Sequence, residues 1–312
     1  MESKIGIIGI GNVSKILAFA VLTNQLCKEI VLASHREPLA VGEAMDLEEV
    51  TYFGEKINIK ACGIEEVKNC NIIVVISSIQ MKKNLAKREE LLRRNAAIYR
   101  TFIPSLAKNN PDAIFVIVSN PVDELTYYTL LLSQFPANKI IGTGTMIDSI
   151  RVSNIISRHI HIKSSDIKAY VIGDHGPTCF LSTSLSHIAG IPLLKIMEKY
   201  HLDLNDLMDE VKNMGWNIFY KRGFTAYGIS LIIVEIIRCI IFDSNKIYTV
   251  STLINNYYGV NNVCLSMPCV INKTGISEIF MPKLTKNEIK NMQISYERIK
   301  CILNSFIPGR HG

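Results

Sequence analysis

The opening stretch of the chain restricts its possible folds more than any other. Lys4-Ile5-Gly6-Ile7-Ile8 is a short apolar run rich in β-branched residues. It leads through Gly9-Ile10-Gly11-Asn12-Val13-Ser14 into Lys15-Ile16-Leu17-Ala18-Phe19-Ala20-Val21-Leu22. The first segment reads as a buried strand, the last as a helix with apolar residues at helical spacing. A strand that turns through two glycines into a helix leaves N–H groups open at the helix start, where the dipole favours an anion such as a pyrophosphate. Gly9 permits the tight turn and Gly11 lets phosphates approach, but the third fingerprint position holds Ser14 instead of glycine. The turn at Gly9, Gly11, Asn12 and Val13 is the candidate cofactor cradle. A secretory signal is a competing reading, which Asn12 and Lys15 interrupt. On this motif alone a strand–helix turn without a ligand stays open.

The alternation continues. Apolar strands are predicted at Glu29 to Ala33, Ile57 to Ala61, Asn71 to Ser77, Ala113 to Val118 and Lys139 to Gly142. Helices are predicted around Gly42 to Leu47 and from about Ala86 to Lys108. Fully apolar strands between helices imply a parallel sheet covered on both faces. The predicted fold class is α/β, a Rossmann-type doubly wound parallel sheet, followed by a mixed α+β catalytic domain. Ligands bind such sheets at the carboxyl ends of the strands, which places Gly9, Ser34, Ser77 and Asn120 on one edge. The second half is predicted to hold a helix from Ile147 to His159, a strand from Lys168 to Ile172 and helices from Leu204 to Tyr220 and Ala226 to Phe242. Two or three antiparallel strands between Lys246 and Phe280 and a helix from Lys286 to Phe306 complete it. The expected division is residues 1–142 for the dinucleotide and 143–312 for the substrate.

Bulk properties remove other classes. The net charge of +6 is scattered, which suits a small anionic substrate and argues against nucleic acid. The eight cysteines form no CxxC pair and no metal-ligand spacing with histidine, so thiols in a reducing, cytoplasmic compartment are expected. The most apolar stretch, Ser230 to Phe242, contains Glu235 and Arg238 and is too short to span a bilayer. It is read as a buried helix, and no membrane partner is expected.

Four residues suggest chemistry. Asp148 and Arg151 stand three apart near a predicted helix start, which puts them on one face. Taken alone, such a pair is usually a local ion pair. Gly173-Asp174-His175-Gly176 directly follows a strand, so His175 faces a cleft or merely decorates a turn. Arg88 lies where a charged stretch becomes a helix. Together they match the reduction of a 2-keto acid. Arg151 can grip a carboxylate in paired fashion. Histidine titrates near neutrality, so His175 can donate the proton, and Asp148 can fix its tautomer. Arg88 can polarise the carbonyl as negative charge develops.

These blocks resemble the L-lactate and L-malate dehydrogenase superfamily, most closely its L-2-hydroxyisocaproate and L-lactate dehydrogenase branch. The resemblance runs over nearly the whole chain. It rests on Ile7 to Phe19, Gly42 to Leu47, Ile117 to Asp123, Gly142 to Arg151, Gly173 to Gly176 and Gly223 to Gly228. It implies that His175 is the acid/base, that Asp148 orients it, that Arg151 holds the substrate carboxylate, and that Arg88 sits on a lid. It also implies that Asn120 contacts substrate and cofactor beside a cis bond to Pro121, and that Thr225 lines the substrate pocket. A homo-oligomer, dimer or tetramer, is expected on the same ground.

The chain departs from this pattern at Ser14, in a lid stretch without glycine or proline (Ile79 to Arg88), and at Ser34. Ser34 stands where relatives place an acid on the adenosine ribose. With Arg36 two residues on, it makes NADP as well as NAD a candidate cofactor. Two other readings stay open. One is a malate dehydrogenase, for which Lys82 would meet the second carboxylate of oxaloacetate. The other is a dinucleotide-sensing protein without turnover, which would need none of Arg88, Asp148, Arg151 and His175.

Overall fold

The computed structural model describes residues 3–54, 56–79 and 88–307, the side chain of Arg88 excepted. The first half alternates as expected: β1 (Lys4–Ile8), α1 (Asn12–Thr23), β2 (Glu29–Ala33), α2 (Glu37–Val50), β3 (Asn58–Cys62), β4 (Ile72–Val75), α3 (Arg88–Asn109), β5 (Ile114–Ile117), α4 (Val122–Ser133) and β6 (Ile140–Gly142). These six strands run parallel in the order β3-β2-β1-β4-β5-β6. That is the order of a doubly wound dinucleotide fold, with its crevice where β1 and β4 diverge. The strands read as apolar runs because both faces are covered. Every residue of β4 and β5 is buried. One face packs on α1 and α2 through Leu17, Val21, Ala40 and Leu47. The other packs on α3 through Leu92, Tyr99, Phe102 and Leu106.

The second half comprises α5 (Met146–Ile160), β7 (Ile167–Lys168), β8 (Val171–Ile172), β9 (Phe180–Leu181), β10 (His187–Ile188), β11 (Ile191–Pro192), α6 (Leu193–Lys199), α7 (Leu204–Arg222), α8 (Tyr227–Ile241), β12 (Lys246–Ile254), β13 (Val263–Asn272), β14 (Gly275–Ile279) and α9 (Lys286–Phe306). The antiparallel strands β12, β13 and β14 extend the parallel sheet, joined to it through Ser251 opposite Gly142. A side chain at Gly142 would start 2.8 Å from Ser251 Cβ and closer still to Thr126, so only glycine admits this junction.

Two sequence expectations change. The strand expected at Lys168 to Ile172 is divided between two sheets: β7 pairs with β10, and β8 with β9. The break falls at Tyr170, whose N–H goes to Ser186 Oγ (3.0 Å) and whose carbonyl accepts from Ser182 N (2.8 Å). The helix expected to be buried, α8, is buried on one face only. Ile232, Ile233, Ile236 and Ile237 are enclosed, while Tyr227 and Leu231 are exposed. No helix among the described residues is long and apolar enough to cross a membrane.

Candidate active site

The expected cradle lies at the carboxyl end of β1. Gly9 has φ +103°, and a Cβ there would sit 2.6 Å from the Ser77 backbone. A side chain at this position is excluded twice, by backbone conformation and by contact. A Cβ on Gly11 would meet nothing within 4 Å, so the space above the turn is open. Asn12 and Val13 follow as the first residues of α1, whose first-turn N–H groups have no intrahelical acceptor. Ser14, the apparent flaw in the fingerprint, is buried. Its hydroxyl accepts the Gly11 N–H (2.6 Å) and donates to the Gly11 carbonyl (2.9 Å). The serine thus braces the turn and leaves Asn12 and Val13 to meet an anion. These residues fit the pyrophosphate of a dinucleotide.

The other edge residues lie where expected. Ser34 follows β2, and its Oγ accepts the Arg36 N–H at 3.1 Å. Arg36 is exposed, immediately before α2. Ser77, next to Gly9, gives its carbonyl to Ser119 Oγ (2.9 Å). Asn120 is exposed, precedes a cis bond to Pro121, and has its carbonyl held by Asn95 Nδ2 at 2.7 Å.

The reacting groups assemble at the start of α5. Thr145 Oγ1 donates to the Val171 carbonyl (2.5 Å) and the Thr145 N–H goes to Ser266 Oγ (3.0 Å). These bonds anchor the helix start against β8 and β13. Asp148 then stands in the first turn of α5, its side chain only 5% exposed. One oxygen faces His175 Nδ1 at 2.8 Å; the other accepts from Arg151 Nη1 at 3.2 Å. The imidazole is 24% exposed, so its ring is held from one side and open on the other. The Arg151 guanidinium lies between Asp148, the Val211 carbonyl (3.5 Å) and Gly215 of α7. A Cβ at 215 would start 3.6 Å from Nη2, so a glycine there keeps the guanidinium uncrowded. Thr225 is half-buried in the loop between α7 and α8.

Behind His175 lies a buried acidic group. Asp123 and Glu124 of α4 and Asp174 of the histidine turn are all fully buried. Arg298 of α9 donates to Asp174 Oδ2 at 2.8 Å and stands 4.0 Å from Glu124 Oε1. Asp174 also accepts from the Thr178 hydroxyl. Asp123 Oδ2 accepts the His175 backbone N–H at 2.6 Å. Burial first, then the neighbouring Glu124, pushes the Asp123 carboxyl up to about 7. The cysteines offer no competing nucleophile nearby: burial holds the Cys179 thiol far above its usual range, with Asp148 and Asp174 adding to the effect.

Residues 3–142 match the family model described as lactate/malate dehydrogenase, NAD binding domain, and residues 145–307 match lactate/malate dehydrogenase, alpha/beta C-terminal domain. The chain belongs to the lactate/malate dehydrogenase family. Among its relatives is an L-lactate dehydrogenase of Clostridium botulinum (strain Loch Maree / Type A3), 33% identical over 308 residues, covering 97% of this chain and 96% of the other. An L-lactate dehydrogenase of Acetivibrio thermocellus is 33% identical over 307 residues, with the same coverage. The crystal structure of a lactate dehydrogenase from a Medee basin deep-sea metagenome library superposes with a TM-score of 0.92 at 30% identity, covering 98% of this chain and 99% of that one. This lactate/malate dehydrogenase family member is a nicotinamide-dependent oxidoreductase that interconverts an L-2-hydroxy acid and a 2-keto acid.

In this dehydrogenase, then, the structure brings together Asp148, His175 and Arg151, and separately Gly9, Gly11, Asn12, Val13 and Ser77. Lys82 lies outside the described residues, as does the side chain of Arg88, whose backbone opens α3. Sequence reasoning did not single out Asp123. Its one signal was its place in the Ser119-Asn120-Pro121-Val122-Asp123 block, where an acid in a first helical turn passes for a favourable dipole contact.

Proposed function

We propose that this dehydrogenase works in the lactate–pyruvate manner, with His175 as acid/base, Asp148 as its orienting partner, Arg151 as the carboxylate clamp and Arg88 as the group that polarises the ketone. The observation that carries this reading is the Asp148 carboxylate, which holds the His175 ring and the Arg151 guanidinium at once. With Nδ1 fixed by Asp148, Nε2 is left to give its proton to the ketone oxygen. The N–H groups of Arg151 not used by Asp148 are free in geometry to fork onto a carboxylate. When bound, the reduced nicotinamide supplies the hydride to the keto carbon, and hydride plus proton complete the alcohol. Gly11, Asn12 and Val13 would hold its pyrophosphate, and Asn120 and Thr225 would flank the substrate. The reading implies a dinucleotide-binding unit at 1–142 and a catalytic unit at 143–312.

The proposal extends to the cofactor's adenosine end. Ser34 places no negative charge at the tip of β2, and exposed Arg36 lies beside it. Without a carboxylate to repel a 2′-phosphate, NADPH should be used with kcat/KM within about a factor of 10 of NADH. An oligomer is supported by exposed apolar side chains on three neighbouring helices: Phe19 on α1, Val41 and Met45 on α2, and Leu231 on α8. Free cysteines, most of them buried, support a reducing, cytoplasmic setting. A malate-type preference would need a cation for a second carboxylate, and the relatives named above are lactate enzymes. A sensor would have no use for an aligned Asp148, His175 and Arg151.

The test is steady-state oxidation of NADH and of NADPH with pyruvate, longer 2-keto acids and oxaloacetate. Highest kcat/KM with a monocarboxylic keto acid is expected. Preference for oxaloacetate would move the protein to the malate side, and no turnover with any keto acid would end the proposal.

A further inference from the structure

His175 is held from several sides. Its ring is fixed by Asp148 of α5. Its turn is flanked by Gly173, which exchanges two backbone hydrogen bonds with Ser266 of β13 (3.1 and 2.8 Å). Asp174 in the same turn is tied to Arg298 of α9. The backbone N–H of His175 itself is taken by Asp123, which reaches across from the first half of the chain. Asp123 sits in the first turn of α4, three residues after Asn120. One short segment of backbone thus carries both the asparagine that faces the substrate and an anchor for the histidine that protonates it.

We propose that Asp123 is a positioning residue for proton transfer: by accepting the His175 N–H it sets the main chain of the 173–176 turn, and with it the reach of Nε2 toward the ketone oxygen. A ring pivoted on Asp148 alone still has its backbone free to shift. Misplacement by about 1 Å can cost on the order of a hundredfold in rate. Asp123 is fully buried, so water does not substitute for it in the native packing. Its carboxyl is largely protonated below about pH 7, and a neutral carbonyl oxygen suffices for the contact. An amide should therefore serve in its place. This inference rests on the reading of His175 as acid/base.

The test compares Asp123→Ala, Asp123→Val and Asp123→Asn in the full-length protein, with His175→Asn alongside. Measurements are kcat and KM for pyruvate, NADH affinity by fluorescence titration, and thermal melting. Loss of the acceptor should lower kcat by roughly 30-fold or more, with NADH affinity within about twofold of the parent. Asp123→Asn should restore kcat to within about fivefold, because its amide oxygen still accepts. Asp123→Val fills the space without a polar atom and decides the matter if the Ala variant does not fold. A folded Ala or Val variant with kcat within about threefold of the parent overturns the proposal, as does an Asn variant as slow as they are. If His175→Asn itself keeps parental turnover, the reading of the site fails instead.

Discussion

Replacing Asp148 by Asn tests the center of the site, because that carboxylate serves two partners. It faces His175 Nδ1 at 2.8 Å and Arg151 Nη1 at 3.2 Å. A carboxylate and an imidazolium whose charges lie about 4 Å apart attract by roughly 4 kcal/mol at the effective dielectric suited to protein sites. That is about three powers of ten in rate if the interaction is lost as the charged histidine forms or reacts. The amide also lets the imidazole take the wrong tautomer. In the serine-protease triad, a different protein, the equivalent change lowers kcat about 10⁴-fold. Asp148→Asn should therefore lose about 10³ to 10⁴ in kcat for pyruvate reduction. KM should rise as well, because Arg151 loses the partner that aims it. NADH affinity should stay near parental, since Asp148 is in α5 and the cradle is at α1. The assay is the absorbance of reduced nicotinamide under steady state, with NADH fluorescence titration as the control for folding and cofactor binding. A variant within tenfold of the parent in kcat would refute the assignment.

Arg151→Lys should raise KM for pyruvate by roughly 10- to 100-fold with a smaller effect on kcat, because an ammonium cannot fork onto the carboxylate while holding Asp148. Initial-rate kinetics at saturating NADH would show it; an unchanged KM would deny the clamp. Ser34→Asp should impose a strong NADH preference, read from parallel NADH and NADPH titrations, and a parent already preferring NADH by more than about a hundredfold would contradict the role given to Ser34. Asp123 also predicts a pH dependence of stability. Burial raises its carboxyl to about 7, against about 3.9 when unfolded. Between these values the native state binds more protons than the unfolded one, so this group's contribution to stability falls as pH rises across that window. The Asn variant does not titrate there and should gain on the parent from about pH 4 to 7, by at most ~4 kcal/mol. Denaturant melts at several pH values would check it, and an offset constant with pH would rule it out.

The parallel half was legible because a doubly covered strand shows itself as an unbroken apolar run. Ile72 to Val75 and Ile114 to Ile117 carry no alternation that a solvent-facing sheet would impose. The strand at Lys168 to Ile172 misled for the same reason. A short apolar run does not disclose that Ser186 and Ser182 take the two backbone groups of Tyr170 and divert the chain to another sheet. In α8, hydrophobicity predicted burial, yet only one face meets the core. A helix apolar all round within a single described chain leaves its second face for something else.

The site divides along the same line. Asp148 and Arg151 could be paired from spacing, since a single helix fixes their geometry. The match of His175 to them came from the resemblance, because no local rule joins residues 27 apart. Asp123 to His175 spans 52 residues and Asp174 to Arg298 spans 124. Such contacts exist only once the sheet has brought α4, α9 and the histidine turn together. Ser14 shows the converse case. Its difference from glycine was visible, but its consequence was not, because a fingerprint records which residue is absent and not which hydrogen bonds the replacement makes. A serine three residues after the glycine that precedes a helix is also a helix-start signal. Read that way, Ser14 predicts the brace on Gly11 that the structure contains.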